Sequence, residues 1–326
     1  DVYKRQVINP PLFNQDGVRR RIIITLSMTK VVQHIWEAIR FENTEALEPV
    51  FDSEQPIRCT GDVRPWYTGK PKIALVRNRD TSGVIGKLGR PAPKRYRKQK
   101  VQRYADALRE EGFQVKVFEG DTKLFSNLGK FLPEHPRTGA PGGIVLNLST
   151  GMQGEGRFAQ IPAMLELAGV AYTGPDPAAH AQLGDRFALM TLLADAGIGV
   201  PRYRSVESAE DAAGINFPAA VRPRFEADAP RAVVRNERSL QKALRDVQSG
   251  YGQPAVVEEI VRGREIRVSL IGNETLECLP LLEYRRGADG KTCPAILEES
   301  IATHVRDCAH QVFRTLRCRD YARVDI

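Results

Sequence analysis

The sequence predicts a mixed fold, an α/β lobe with a parallel, Rossmann-like sheet followed by an α+β part in two lobes. Three observations predict it. Short apolar runs alternate with amphipathic stretches between residues 72 and 175, the pattern of strand–helix–strand units. Beyond Thr173-Gly174-Pro175 the strands crowd together without a helix between each pair. The length, 326 residues, is that of two domains or a few lobes with an ample core.

Each element has its own reason. Ile73-Ala74-Leu75-Val76 is a short apolar strand. The Gly83-Val84-Ile85-Gly86-Lys87-Leu88-Gly89 stretch after it is spaced G-x-x-G-x-x-G, and a basic loop follows. That makes it plain loop rather than a dinucleotide fingerprint, which needs G-x-G-x-x-G opening a helix. Helical spacing predicts a helix over Val101–Glu110 stopped by Gly112, and Gln114–Phe118 alternates as a strand. A helix near Thr122–Phe131, a buried strand over Gly143–Leu148 and a helix over Ala159–Leu167 ending at Gly169 complete this lobe. Next come a long helix, Asp185–Ala196, closed by Gly197, and a helix over Glu237–Val247. Strands are predicted over 254–259, 264–271 and 275–283, then a helix over Glu299–Leu316 and a terminal strand.

Composition narrows the function classes. Hydrophobic content of 42% and charged content of 27% are those of a soluble globular protein, expected in the cytoplasm. No apolar run approaches the roughly 20 residues of a membrane span, and Arg21-Ile22-Ile23-Ile24-Thr25-Leu26 is far too short and lacks the cleavage site of a signal peptide. Five scattered cysteines without a C-x-x-C pair argue against a disulfide framework or a zinc site. The net charge of +8 comes in part from Lys87–Arg103, which holds eight Lys/Arg and no acid. A solvated loop leading into a helix accounts for that run, and a phosphate-steering loop is the other reading. Nucleic acid is not expected as a partner, because Tyr96 and Tyr104 alone make no stacking platform.

Residues 1–71 read differently from the rest, as an extraneous or poorly ordered extension and a candidate chimeric join. Asp1-Val2-Tyr3-Lys4-Arg5-Gln6 resembles the translation of a sequencing adapter. Residues 30–71, with Ile35-Trp36-Glu37 and Arg64-Pro65-Trp66-Tyr67, resemble a piece of a type III restriction-enzyme subunit, without any helicase motif.

Four stretches carry candidate chemistry. Gly151-Met152-Gln153-Gly154-Glu155-Gly156 lies between a strand and a helix, where glycines let backbone N–H groups approach an anion. A tight strand-to-helix turn is the alternative. Pro218-Ala219-Ala220-Val221-Arg222-Pro223 is a strand ending in a cation, suited to triphosphate oxygens or simply exposed at a strand end. Glu258 and Glu259 precede the apolar pair Ile260-Val261, whose backbone could meet an adenine edge, and Glu265 could take ribose hydroxyls. Taken alone, this segment reads equally as a charged hairpin. In Arg323-Val324-Asp325 the period of two puts cation and carboxylate on one face. Asp325 would be a hard ligand for magnesium, and Arg323 would stabilise an oxyanion.

In this order the motifs resemble the ATP-grasp superfamily, D-alanine–D-alanine ligase-like, over residues 72–326. Gly154-Glu155-Gly156 with Gln160, Met164 to Gly174, Asp185-Arg186, Glu258-Glu259, Gly263-Arg264-Glu265, Cys293-Pro294-Ala295 and Cys318 to Asp325 carry the resemblance. It implies a Rossmann-like pre-ATP-grasp lobe (72–175), an ATP-grasp small lobe (176–262) and a truncated large lobe (263–326). It also implies an ATP-dependent carboxylate–amine ligase forming a C–N bond through an acyl phosphate, with ATP and Mg2+ as cofactors. Its partners would be small carboxylate and amine substrates, amino acids or peptides, with no membrane and a homodimer left open. Catalysis would fall to Arg323 and metal binding to Asp325. ATP would be held by Arg186, Arg222, Glu258, Glu259, Ile260, Val261 and Glu265, and the substrate loop would use Gly151, Gly154 and Glu155.

The chain departs from the family pattern at several points. Arg186 and Arg222 stand where the family has phosphate lysines, exchanging a compact ammonium for a planar fork. The glycine- and serine-rich flap is replaced by Arg224-Phe225-Glu226-Ala227-Asp228-Ala229-Pro230-Arg231, without a glycine and with two acids. Thr150 replaces a histidine, and no acid is found at the end of the first strand. The chain stops after Ile326, before a Glu-x-Asn metal strand, so as it stands it is expected to be inactive. The alternative function is a degenerate nucleotide-binding or regulatory protein of this fold without ligase activity.

Overall fold

The computed structural model describes residues 72–78, 98–133, 142–208, 210–212, 214–226, 229–284 and 291–326. The N-terminal extension, the Gly83–Gly89 loop and Lys87 to Arg97 of the basic run lie outside the described residues.

The mixed α/β class is what the chain adopts, with three sheets among the described residues. The first is parallel, in the order β2-β1-β3, from β1 (Lys72–Arg77), β2 (Gln114–Glu119) and β3 (Gly143–Asn147). Ile73, Ala74, Leu75 and Val76 are fully buried because helices cover both faces of this central strand. Ile73 and Leu75 pack on Val101, Ala105 and Leu108 of α1 (Lys98–Glu110). Ala74 and Val76 point the other way, toward α2 (Leu124–Phe131) and α3 (Arg157–Leu167).

Two short helices follow, α4 (Pro177–Gly184) and α5 (Arg186–Asp195). The sequence reading found only the second. Yet the first carries a start signal: Asp176 accepts a hydrogen bond from Ala179 N at 2.7 Å, and Pro177 opens the helix. Its alanine-rich body has too little apolar periodicity to stand out. In the same way Asp185 caps α5, accepting from the backbone N–H groups of Phe187 and Ala188.

The second sheet is antiparallel, β4-β7-β5-β6, built from Tyr203–Val206, Ala255–Glu259, Ala219–Pro223 and Ala232–Val234. Val206, Ala219, Val221, Ala255 and Val257 cover Leu240, Ala243, Leu244 and Val247 of α6 (Glu237–Tyr251). This helix runs one turn beyond the predicted Val247. It is Gly252, left-handed at φ 62°, that supplies the stop.

The third sheet, β11-β10-β8-β12 with β9 on β8, packs on α7 (Glu299–Thr315). Its strands are β8 (Glu265–Gly272), β9 (Leu276–Cys278), β10 (Leu282–Tyr284), β11 (Lys291–Thr292) and β12 (Tyr321–Asp325). The single strand predicted over 275–283 is thus two strands, β9 and β10. Pro280 between them has no N–H to donate, and Leu279 N returns to Ser269 O at 2.9 Å. Ile266, Val268 and Leu270 face α7, so Glu265, Arg267 and Ser269 occupy the opposite face.

Candidate functional site

Three groups of polar side chains stand at the ends and faces of these sheets. The first surrounds the glycine loop after β3. Asn78, where β1 ends, is buried and organises it. Its amide donates to Thr150 Oγ1 at 2.8 Å, while its carbonyl oxygen accepts from Thr150 N at 2.6 Å and Ser149 Oγ at 2.9 Å. Gln160 of α3 closes the loop, accepting from Met152 N and donating to Gln153 O. At Gly151 the φ of 76° and a would-be Cβ only 1.8 Å from Arg157 O exclude any other residue. Gly154 is also left-handed, and Glu155 is exposed. Arg157, 3% exposed, donates to Phe225 O and Glu226 Oε2, each at 3.0 Å. This ties the glycine loop to the segment that follows β5.

The second group is a cluster of arginines on the face of the antiparallel sheet turned away from α6. Arg186, the first residue of α5, makes a two-point ion pair with Glu258 of β7, with Nη2 2.7 Å from Oε2. Glu258 is 5% exposed and sits opposite Ala220 and Tyr203, so Arg222, two residues along β5 from Ala220, shares its face. The Nε of Arg222 is buried without a partner. Burial first, then repulsion from Arg186, presses the Arg222 pKa below its ordinary value, and Glu258 offsets part of this. The group still stays charged. Beside it, Arg224 donates to both oxygens of Asp185, at 2.8 and 2.7 Å, between the rings of Phe187 and Phe225. That hydrogen bond raises the Arg224 pKa. Burial works to raise the Asp185 carboxyl, but Arg224 and the N–H groups of Ala188 and Phe187 bring it below the usual range.

The third group lies on the polar face of β8 and β12. Asp325 pairs with Arg267 across the strands, and Arg323 with Ser269. Arg323 holds Asp325 from the same strand, with Nε 2.8 Å from Oδ1 and Nη2 3.2 Å from Oδ2. Arg267 donates to Glu265 Oε1 at 2.9 Å and stands 3.8 Å from Asp325 Oδ1. Glu265, Arg323 and Asp325 therefore meet on one face, linked through Arg267.

Glu259 is exposed and its N–H donates to Arg202 O at 2.8 Å, while Ile260 is half-buried and Val261 is 68% exposed. Sequence reasoning missed Asn78, Arg157 and Arg267. Arg267 alone left a signal, a cation two residues after Glu265 on the polar side of an alternating strand.

Residues 192–326 match the family model described as D-ala D-ala ligase C-terminus. The uncharacterized protein y4sG of Sinorhizobium fredii is 38% identical over 281 residues, covering 78% of this chain and 82% of that protein. The D-alanine–D-alanine ligase of Desulforudis audaxviator is 28% identical over 191 residues, 52% of this chain. The chain belongs to the D-alanine–D-alanine ligase-like family of the ATP-grasp fold. Its match spans 62% of the Desulforudis ligase's length. Among solved structures, the ATP complex of the D-alanine–D-alanine ligase from Bacillus anthracis has a TM-score of 0.57 at 15% identity. That match covers 79% of this chain and 82% of the other. The D-alanine–D-alanine ligase from Coxiella burnetii gives 0.58 at 18% identity, covering 79% and 80%. These two matches place the fold as ATP-grasp. No helix among the described residues is long and apolar enough to cross a membrane.

The ATP-grasp residues differ in what they fit. Arg222, with an orphaned buried donor beside Arg186, suits the phosphates of a nucleotide. For a divalent cation the side chains as they stand do not fit. Among the described residues no three His, Cys, Asp or Glu side chains converge, and Asp325 is committed to two guanidinium groups.

Proposed function

We propose that this protein is an ATP-dependent carboxylate–amine ligase that works through an acyl phosphate, with an amino acid or small peptide as each substrate. One observation carries the reading: two arginines and Glu258 on one sheet face, with the Nε of Arg222 buried and unpartnered. A buried donor without an acceptor costs about 1–3 kcal/mol, which an anionic ligand would remove. Arg186 and Arg222 would hold the nucleotide phosphates, the chain from Glu258 to Val261 the adenine, and Glu265 the ribose. The Gly151-to-Gly156 loop, with Gly151, Gly154 and Glu155, would line the substrate. Arg323 would face the oxyanion that forms when the amine attacks the activated carboxyl. Burial between lobes would keep water from the acyl phosphate.

A second reading, a nucleotide-binding or regulatory member of the fold without ligase activity, draws on Arg224-Phe225-Glu226. Arg224 is bound to Asp185 and Glu226 to Arg157, so this segment is held by side chains rather than left free to wrap phosphates. Calorimetric titration with ATP, alone and with a panel of amino acids and dipeptides, separates the two readings. The ligase reading predicts saturable ATP binding that at least one amino acid or dipeptide tightens about fivefold or more, because adjacent substrate sites are energetically linked. ATP binding indifferent to every added amino acid would favour the second reading. Absence of any ATP binding would overturn both.

A further inference from the structure

The polar face of the third sheet has an occupant where a cation is expected. We propose that Arg267 is a resident cation between Glu265 and Asp325, so that this face meets an anionic ligand through two guanidinium groups and not through a divalent ion on Asp325. The anion it would serve rests on the nucleotide reading above, whereas its effect on metal binding does not.

Backbone register fixes the arrangement. Asp325 lies directly across from Arg267, and Tyr284 directly across from Glu265. Neighbours of this kind sit about 4.5–5.5 Å apart at Cβ, so the charges are held together by strand pairing. The Arg267 side chain is 16% exposed, and its guanidinium lies 4.1 Å from the Tyr284 ring centroid. Its Nη2 and Nε both donate to Glu265 Oε1, at 2.9 and 3.3 Å. The same Nε stands 3.8 Å from Asp325 Oδ1, which also takes the Nε of Arg323 at 2.8 Å.

Glu265 and Asp325 thus face Arg267 and Arg323, and Lys291, across from Tyr284 with its Nζ 5.8 Å from that ring centroid, adds a third positive charge, so the face has no negative charge in surplus. Magnesium loses its water reluctantly and needs hard oxygen ligands with charge to spare. A carboxylate flanked by two guanidinium groups keeps lone pairs open to solvent but has little charge to spare. Raising the pH does not free it, because an arginine keeps its proton. For a divalent ion to bridge Glu265 and Asp325, Arg267 would have to give up its contacts with Tyr284 and Glu265.

Manganese, a spin probe for divalent sites, tests this in the absence of nucleotide. The free-ion signal is followed as Mn2+ is titrated into the protein, its Asp325→Asn variant, and the variants Arg267→Gln and Arg267→Lys. Unaltered protein and Asp325→Asn are expected to bind Mn2+ equally weakly. Arg267→Gln is expected to bind it about tenfold tighter, since a cation beside the carboxylates has been removed. Arg267→Lys keeps the charge and should behave as the unaltered protein. Adding Asp325→Asn to Arg267→Gln should abolish the gain. Mn2+ affinity that drops in Asp325→Asn alone would overturn the proposal, whether or not Arg267→Gln folds. So would an Arg267→Gln variant that melts normally and gains nothing. ATP takes no part in the titration, so this result stands apart from that of the nucleotide titration.

Discussion

Arg222 shows how a single residue can carry a functional reading. Its Nε is buried and unpartnered, its charge is repelled by Arg186, and Glu258 alone nearby compensates. An anionic ligand would complete such a group, as a water would more weakly. Arg222→Met keeps the stem and removes the charge. ATP affinity is then expected to fall about tenfold or more, the worth of one or two charge-assisted hydrogen bonds. The melting temperature of the free protein should hold or rise, because the orphaned donor is gone. Calorimetry and a thermal melt on the same preparation check both; unchanged affinity would count against the phosphate role. In the sequence this residue is a strand-end cation suited to phosphate, and its burial is not legible there. Its depth comes from β5 lying between β7 and β6, an order that no spacing encodes. Asn78 was illegible for a similar reason, since its partners Ser149 and Thr150 lie more than seventy residues away, with sequence separations of 71 and 72.

At the scale of elements, periodicity and stop signals located most helices and strands, while polar capping by Asp176, Asp185 and Asn236 sets where α4, α5 and α6 begin. Gly112, Gly169 and Gly197, all left-handed, close the predicted helices. Helix α4 escaped because Asp176 and Pro177 announce a start but its alanine-rich body has no clear apolar face. The 275–283 run misled because apolar alternation continues through Pro280, and only the missing N–H breaks the strand. Asp185 shows an element boundary bearing a site. It caps α5 and anchors Arg224, whose carbonyl in turn accepts from Arg186 N at 2.9 Å. The folded-state pKa of Asp185 is depressed, so its stabilisation is present above the unfolded-state value of about 3.9 and is lost as pH falls through the folded value. Asp185→Asn keeps a capping oxygen and loses the ion pair. It should melt lower than the unaltered protein at neutral pH, with the gap closing below about pH 4 as the native carboxyl protonates. Thermal melts from pH 7 to 3 decide it, and a constant gap would contradict the linkage.

At the scale of the molecule, the three sheets are fastened by buried polar contacts that the sequence hid. Asp320, left-handed at φ 68° and 3% exposed, accepts from Gly174 N and from Asn273 Nδ2. Arg319 adds a bond to Gly174 O at 2.9 Å and lies over Tyr172. The third sheet is thereby held against the first, with Ile271 inside the first lobe's core. Arg157 fastens the second sheet to the glycine loop in the same manner. The mixed α/β class and the family resemblance were legible because they rest on local runs and ordered motifs. The convergence of the arginines was not, because it depends on how three sheets pack. The central claim is that one nucleotide spans the arginines of the second sheet and the polar face of the third. Backbone hydrogen exchange with and without saturating ATP tests it most directly. The account predicts slowed exchange in both 219–224 and 257–267, whereas protection confined to 72–150, or no protection anywhere, would contradict it.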